Sequence, residues 1–86
     1  MEWTYKISAS VRPKVLMRVV QVFDQQSVAM RRCLLEECGE VLEVTIVAEV
    51  DEDLARRMQA KLHKLVDLLE VEMIPGRVAE DAISIA

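Results

Sequence analysis

The hydrophobic period of this chain switches between two residues and about 3.6, and the order of the switches restricts its fold more than any other feature. Trp3, Tyr5, Ile7, Ala9 and Val11 alternate with Thr4, Lys6, Ser8 and Ser10, which is the pattern of a strand with one buried face. Val15, Leu16, Val19, Val20, Val22 and Phe23 then gather on one side of a helix, opposite Lys14, Arg18, Gln21, Asp24 and Gln25. Pro13 suits the first turn of that helix, where its missing N–H costs nothing, and the pattern runs to about Gln26. Residues 28–36 read as a second, less regular strand. Glu37-Cys38-Gly39-Glu40 is the turn after it, with Gly39 free to take positive φ.

The third strand is the clearest, with Leu42, Val44, Ile46, Ala48 and Val50 on one face. Asp51 is placed to cap a second helix, and Glu52 and Asp53 sit where the helix dipole favours negative charge. Leu54, Met58, Leu62, Leu65, Val66 and Leu69 recur at helical spacing, and Val71 to Ile74 makes a short fourth strand that Pro75-Gly76 stops. The order β-α-β-β-α-β predicts an α+β, ferredoxin-like domain: a four-stranded antiparallel sheet with both helices on one face. Residues 1–76 form that one domain, and residues 77–86 are a tail readable as a short docked helix or as a loose end. This topology leaves the second and fourth strands outermost. Val28, Met30, Leu34 and Leu35 would then face water on an open edge. An 86-residue chain buries only roughly 60–65% of its surface alone. Both points favour a homodimer or a higher assembly.

Charge and composition narrow the function. The chain is 52% hydrophobic and 30% charged, with a net charge of −4. No apolar run approaches the roughly 18 residues of a membrane helix, and the alternating start Met1–Lys6 is unlike a signal peptide, so a soluble cytoplasmic protein is expected. Nucleic acid is an unsuitable partner. No basic face is legible, and three aromatics cannot build a base-stacking platform. Cys33 and Cys38 stand near the expected turn, closely enough for a bridge to be conceivable, but two reduced thiols are expected in the cytosol. With one histidine, His63, and no CxxC, no metal site is expected.

Catalytic motifs are missing as well. Two glycines allow neither a phosphate loop nor a nucleophile elbow, and His63 is the sole candidate base for the serines. The acids Glu36, Glu37, Glu40 and Glu43 read as a solvated turn. The chain has no asparagine, which removes the amide a ferredoxin-like acylphosphatase needs, and Ser10-Val11-Arg12-Pro13 stands where a metallochaperone carries CxxC.

The segment Leu62-His63-Lys64-Leu65-Val66-Asp67-Leu68-Leu69-Glu70-Val71 resembles the end of the ACT domain in the small regulatory subunit of acetohydroxyacid (acetolactate) synthase, with its L-x-K-L-V-D-x-x-x-V. Pro13-Lys14-Val15-Leu16-Met17-Arg18-Val19-Val20 is similar to that family's first helix, and the likeness is greatest to the short isozyme II type. The resemblance spans roughly residues 4–74 and implies a regulatory subunit with no chemistry of its own. It implies docking onto a separate large subunit that carries thiamine diphosphate, a divalent metal (Mg) and a flavin (FAD), with helix surfaces and the tail as candidate contacts. Branched-chain amino acids are the family's feedback ligands. The alternative is a stand-alone ACT-domain sensor that binds a small amino acid and acts on another partner.

The family's effector loop is altered here. Valine-sensitive members carry an Asn-x-x-Gly that aligns with Val11-Arg12-Pro13-Lys14, and a second asparagine aligns with Ala29, followed by Met30. Val11 and Ala29 offer no amide, Pro13 removes a backbone N–H, and Lys14 fills space that glycine leaves open. Two lost side-chain hydrogen bonds at about 0.5–1.5 kcal/mol each weaken binding by roughly one to two factors of ten. Insensitivity to valine is the expectation, with capture of a ligand carboxylate by Arg12 or Lys14 in a remodelled site as its rival.

Overall fold

The computed structural model describes residues 1–77. Six elements follow in the expected order: β1 (Glu2–Ser10), α1 (Val15–Gln25), β2 (Ala29–Cys38), β3 (Val41–Glu49), α2 (Glu52–His63) and β4 (Leu68–Pro75). The strands form one antiparallel sheet in the order β2-β3-β1-β4, so β2 and β4 are the edges. This is the α+β ferredoxin-like arrangement. Residues 78–86, most of the segment read as a tail, lie outside the described part.

Alternation puts Trp3, Tyr5, Ile7 and Ala9 of β1 beside Ala48, Ile46, Val44 and Leu42 of β3, and all eight are buried under the helices. α1 contributes Val15, Val19, Val22 and Phe23, and α2 contributes Ala55, Met58 and Leu62. Each large side chain removed from water here is worth about 1.5–3 kcal/mol. Tyr5 ties the layers together. Its ring meets Phe23 edge-on at 5.2 Å, and its hydroxyl donates to the Ala55 carbonyl at 2.9 Å. Asp51 caps α2 as its position predicts, its carboxylate accepting the Leu54 N–H at 2.8 Å. On the face away from the helices, Thr4 and Val47 pair and are also fully buried.

Several boundaries depart from the sequence reading. α1 starts at Val15, not at Pro13, because Lys14 takes a left-handed conformation (φ 71°) that a helix cannot include. Val11 lies beyond β1 and is exposed. β2 runs on to Cys38, so the turn shrinks to Gly39 (φ 64°) and Glu40. Cys33 and Cys38 are therefore in one extended strand, on opposite faces and roughly 16 Å apart, and an intrachain bridge between them is excluded.

α2 ends at His63 and β4 begins at Leu68, three residues before the expected start. Asp67, at φ 75°, reverses the chain without the glycine or proline that would have marked the stop. Leu65 and Leu68 pack against the core from outside the helix, whereas Val66 and Leu69 are exposed. Val28 precedes β2 and packs on the core, so it is not part of the open edge.

Candidate functional site

The residues singled out in the sequence fall into two regions. The first is the β1–α1 loop, Val11 to Lys14. It sits at the end of the sheet where the Val11 N–H donates to the Glu40 carbonyl and the Ser10 N–H to the Asp67 carbonyl. The L-x-K-L-V-D stretch thus meets the loop directly: Leu62 is fully buried, Leu65 packs on the core, and Asp67 closes against β1. The Asp67 carboxylate also lies between Arg12 at 3.9 Å and Arg18 at 4.0 Å. Both pairs are long and largely exposed, so they orient the loop more than they stabilise it. Lys14 occupies the α1 N-cap position without a side-chain cap, in a backbone conformation glycine adopts freely. Arg12, Pro13 and Lys14 are exposed.

Ala29 and Met30 are not brought to this loop within one copy. Ala29 pairs with Glu49, which pairs with Glu2, at the end of the sheet opposite Ser10 and Val11.

The second region is the β2 edge. All ten residues of β2 are exposed although nine of them have partners on β3. An extra residue at Arg31 shifts the register between Met30 and Arg32, so Met30, Cys33 and Leu35 share the helix side. This bulge is what blurred the alternation in the sequence. The β3 partners of those three residues, Ala48, Ile46 and Val44, are buried, so the helix layer ends short of β2. Met30, Leu34 and Leu35 are 37%, 41% and 51% exposed. Between α1 and this edge runs a hollow of about 390 Å³ lined by Met17, Val20, Phe23, Val28 and Met30, with Gln21 and Asp24 at its side.

Elsewhere, Glu36, Cys38 and Glu43 gather on the face away from the helices, their ligand atoms within 4.8 Å of one another and exposed. Loss of solvent around the thiol and then the charges of Glu36 and Glu43 push the Cys38 thiol above its ordinary value. The sequence reads these acids as a solvated turn; the longer β2 places Glu36 and Cys38 in the sheet. His63 is the exposed last residue of α2. No helix among the described residues is long and apolar enough to cross a membrane.

No protein-family model matches the chain, and no curated protein matches it in sequence. Solved structures do match. The ACT domain of a GTP pyrophosphokinase from Chlorobium tepidum superposes with a TM-score of 0.78 at 14% identity, over 90% of this chain and 89% of that one. An acetolactate synthase small subunit from Thermotoga maritima gives 0.74 at 16% identity, over 85% of this chain and 47% of that one. A homoserine dehydrogenase from Thiobacillus denitrificans gives 0.71 at 19% identity, but only 16% of its own length is covered. Identities this low carry the architecture and not the activity. The chain has the fold of an ACT domain.

Proposed function

We propose that this chain is a non-catalytic regulatory subunit that binds and activates the large subunit of an acetolactate synthase in branched-chain amino-acid biosynthesis, without feedback by valine. The observation that carries the reading is the joint at Leu62–Asp67. The stretch that resembles the family's small subunit is the one that closes the end of α2 onto the last residue of β1, the Asp67 carbonyl accepting the Ser10 N–H. The likeness in fold to an acetolactate synthase small subunit agrees with it. Thiamine diphosphate, metal and flavin belong to the large subunit in this reading. A subunit without chemistry acts by binding one conformation of its partner better than another.

The working form is a homodimer joined through β2. Pairing two β2 edges antiparallel about a two-fold axis covers the open ladder and the apolar Met30, Leu34 and Leu35. It also carries Ala29 and Met30 of one copy toward the Cys38 end of the other, the end that holds the effector loop. The two separated halves of the family's ligand site then approach each other.

Valine insensitivity rests on Lys14, whose Cβ and charged stem occupy a glycine-type backbone, and on Arg12 and Arg18, which already face a carboxylate. That same pair of arginines favours the sensor reading if Asp67 yields to a ligand. Calorimetry with valine, leucine and isoleucine separates the two: saturable micromolar binding at the dimer favours the sensor. Co-expression of the tagged chain with the large subunit from the same source tests the main reading, with co-purification expected and its absence contradicting it.

A further inference from the structure

The two faces of the sheet are covered differently. Both helices pack on one, and among the described residues no element remains to lie over the other. On that outer face the strand register sets Arg32, Val47, Thr4 and Ile74 in one row across the four strands. Thr4 and Val47 are nonetheless 0% exposed. Their place on the central strands does not account for this. Lys6 and Thr45 pair on the same two strands, one row further along the same face, and both keep part of their surface in water. Ile74 is half-buried although it stands on an edge strand. A threonine and a valine kept dry on a sheet face imply a layer above them.

The chain itself turns toward that row after β4. Gly76 takes a φ of 83°, and its N–H donates to the Glu2 carbonyl at 2.7 Å. The Thr4 hydroxyl donates to the Gly76 carbonyl at 2.7 Å. Arg77 then grips the Glu2 carboxylate with two N–H groups, at 2.7 and 3.1 Å. Glu2 and Thr4 point to the outer face, so these contacts bring the chain onto that face from the β4 side.

We propose that the outer face around Thr4 and Val47 is the seat of residues 78–86 of the same chain. Length permits it: nine residues span at most roughly 30 Å, and three strand spacings cover about 14 Å. Composition suits it as well. Six of the nine are apolar, Val78, Ile83 and Ile85 with three alanines, and such side chains exclude water from a row of Val47, Thr4 and Ile74. Glu80 and Asp81 are the segment's two charged side chains, opposite in sign to Arg32 at the β2 end of the row. The seat belongs to the domain whatever the domain regulates, and a partner that docks on this part of the sheet has first to displace the segment.

The reactivity of a thiol placed at position 47 tests the seat. The background carries Cys33→Ser and Cys38→Ser, since both native thiols are exposed. In the full chain Val47→Cys should react with a maleimide about tenfold more slowly than Thr45→Cys, its neighbour in the next row. Removing residues 78–86 should raise the Val47→Cys rate about tenfold and leave that of Thr45→Cys within about twofold. Ile83→Asp with Ile85→Asp in the full chain should act in the same direction, which covers the case of a shortened chain that fails to fold. Circular dichroism reports folding for each variant. Rates that ignore both changes would mean that the strands' own side chains shield the row. Protection that fades on dilution of the full chain would put a second copy over it. Either result overturns the proposal.

Discussion

Tyr5 is buried completely and donates its hydroxyl to a helix carbonyl, and both circumstances oppose its ionisation. Burial raises its pKa to about 12 from 10.0. Because the folded value is the higher one, the neutral phenol contributes stability that is complete below pH 10 and is lost as pH rises toward 12. Tyr5 is the one tyrosine, so tyrosinate absorbance reads it alone. The expected result is a titration displaced well above that of free tyrosine, coincident with alkaline unfolding. Tyr5→Phe keeps the edge-on contact with Phe23 and should cost about 1 kcal/mol, or roughly 4–8 °C in Tm.

Lys14 gives the opposite sign. Relief of its left-handed strain is worth about 1–2 kcal/mol, against a loss of roughly 0.5–1 kcal/mol from the more flexible unfolded chain. Lys14→Gly should therefore raise Tm slightly in a thermal melt. Such residue-scale features were partly legible: alternation named every buried residue of β1 except Thr4, whose shielding on the other face has no signature in the sequence.

Among the elements, β3 and the start of α2 were readable because strong local signals coincide: strict alternation, then a capping aspartate with two acids behind it. Asp51→Ala removes the acceptor of the Leu54 N–H and should lower stability by about 1 kcal/mol in denaturant unfolding, with the slope unchanged. The end of α2 was not readable. Leu65, Val66 and Leu69 continue a helical spacing after the helix has stopped, and the reversal is made by an aspartate in a left-handed conformation. β2 was found as an edge strand but its faces were not assigned, because one extra residue at Arg31 breaks the parity on which face assignment depends. Val11 to Lys14 stand between β1 and α1, but no sequence pattern revealed that Ala29 and Met30 lie at the other end of the sheet.

At the scale of the molecule, an edge strand with ten exposed residues and an adjoining apolar hollow is an unfinished surface of the fold. Light scattering at micromolar concentration should give twice the 9.8 kDa chain mass. Leu34→Lys with Leu35→Lys should shift it to the monomer, since lysines on an edge oppose strand pairing. The central claim, however, is regulation, and the steady-state rate of acetolactate formation by the purified large subunit measures it most directly. Titrating in this chain should raise the rate saturably, and millimolar valine should leave the raised rate unchanged. A rate that never departs from that of the large subunit alone would contradict the account.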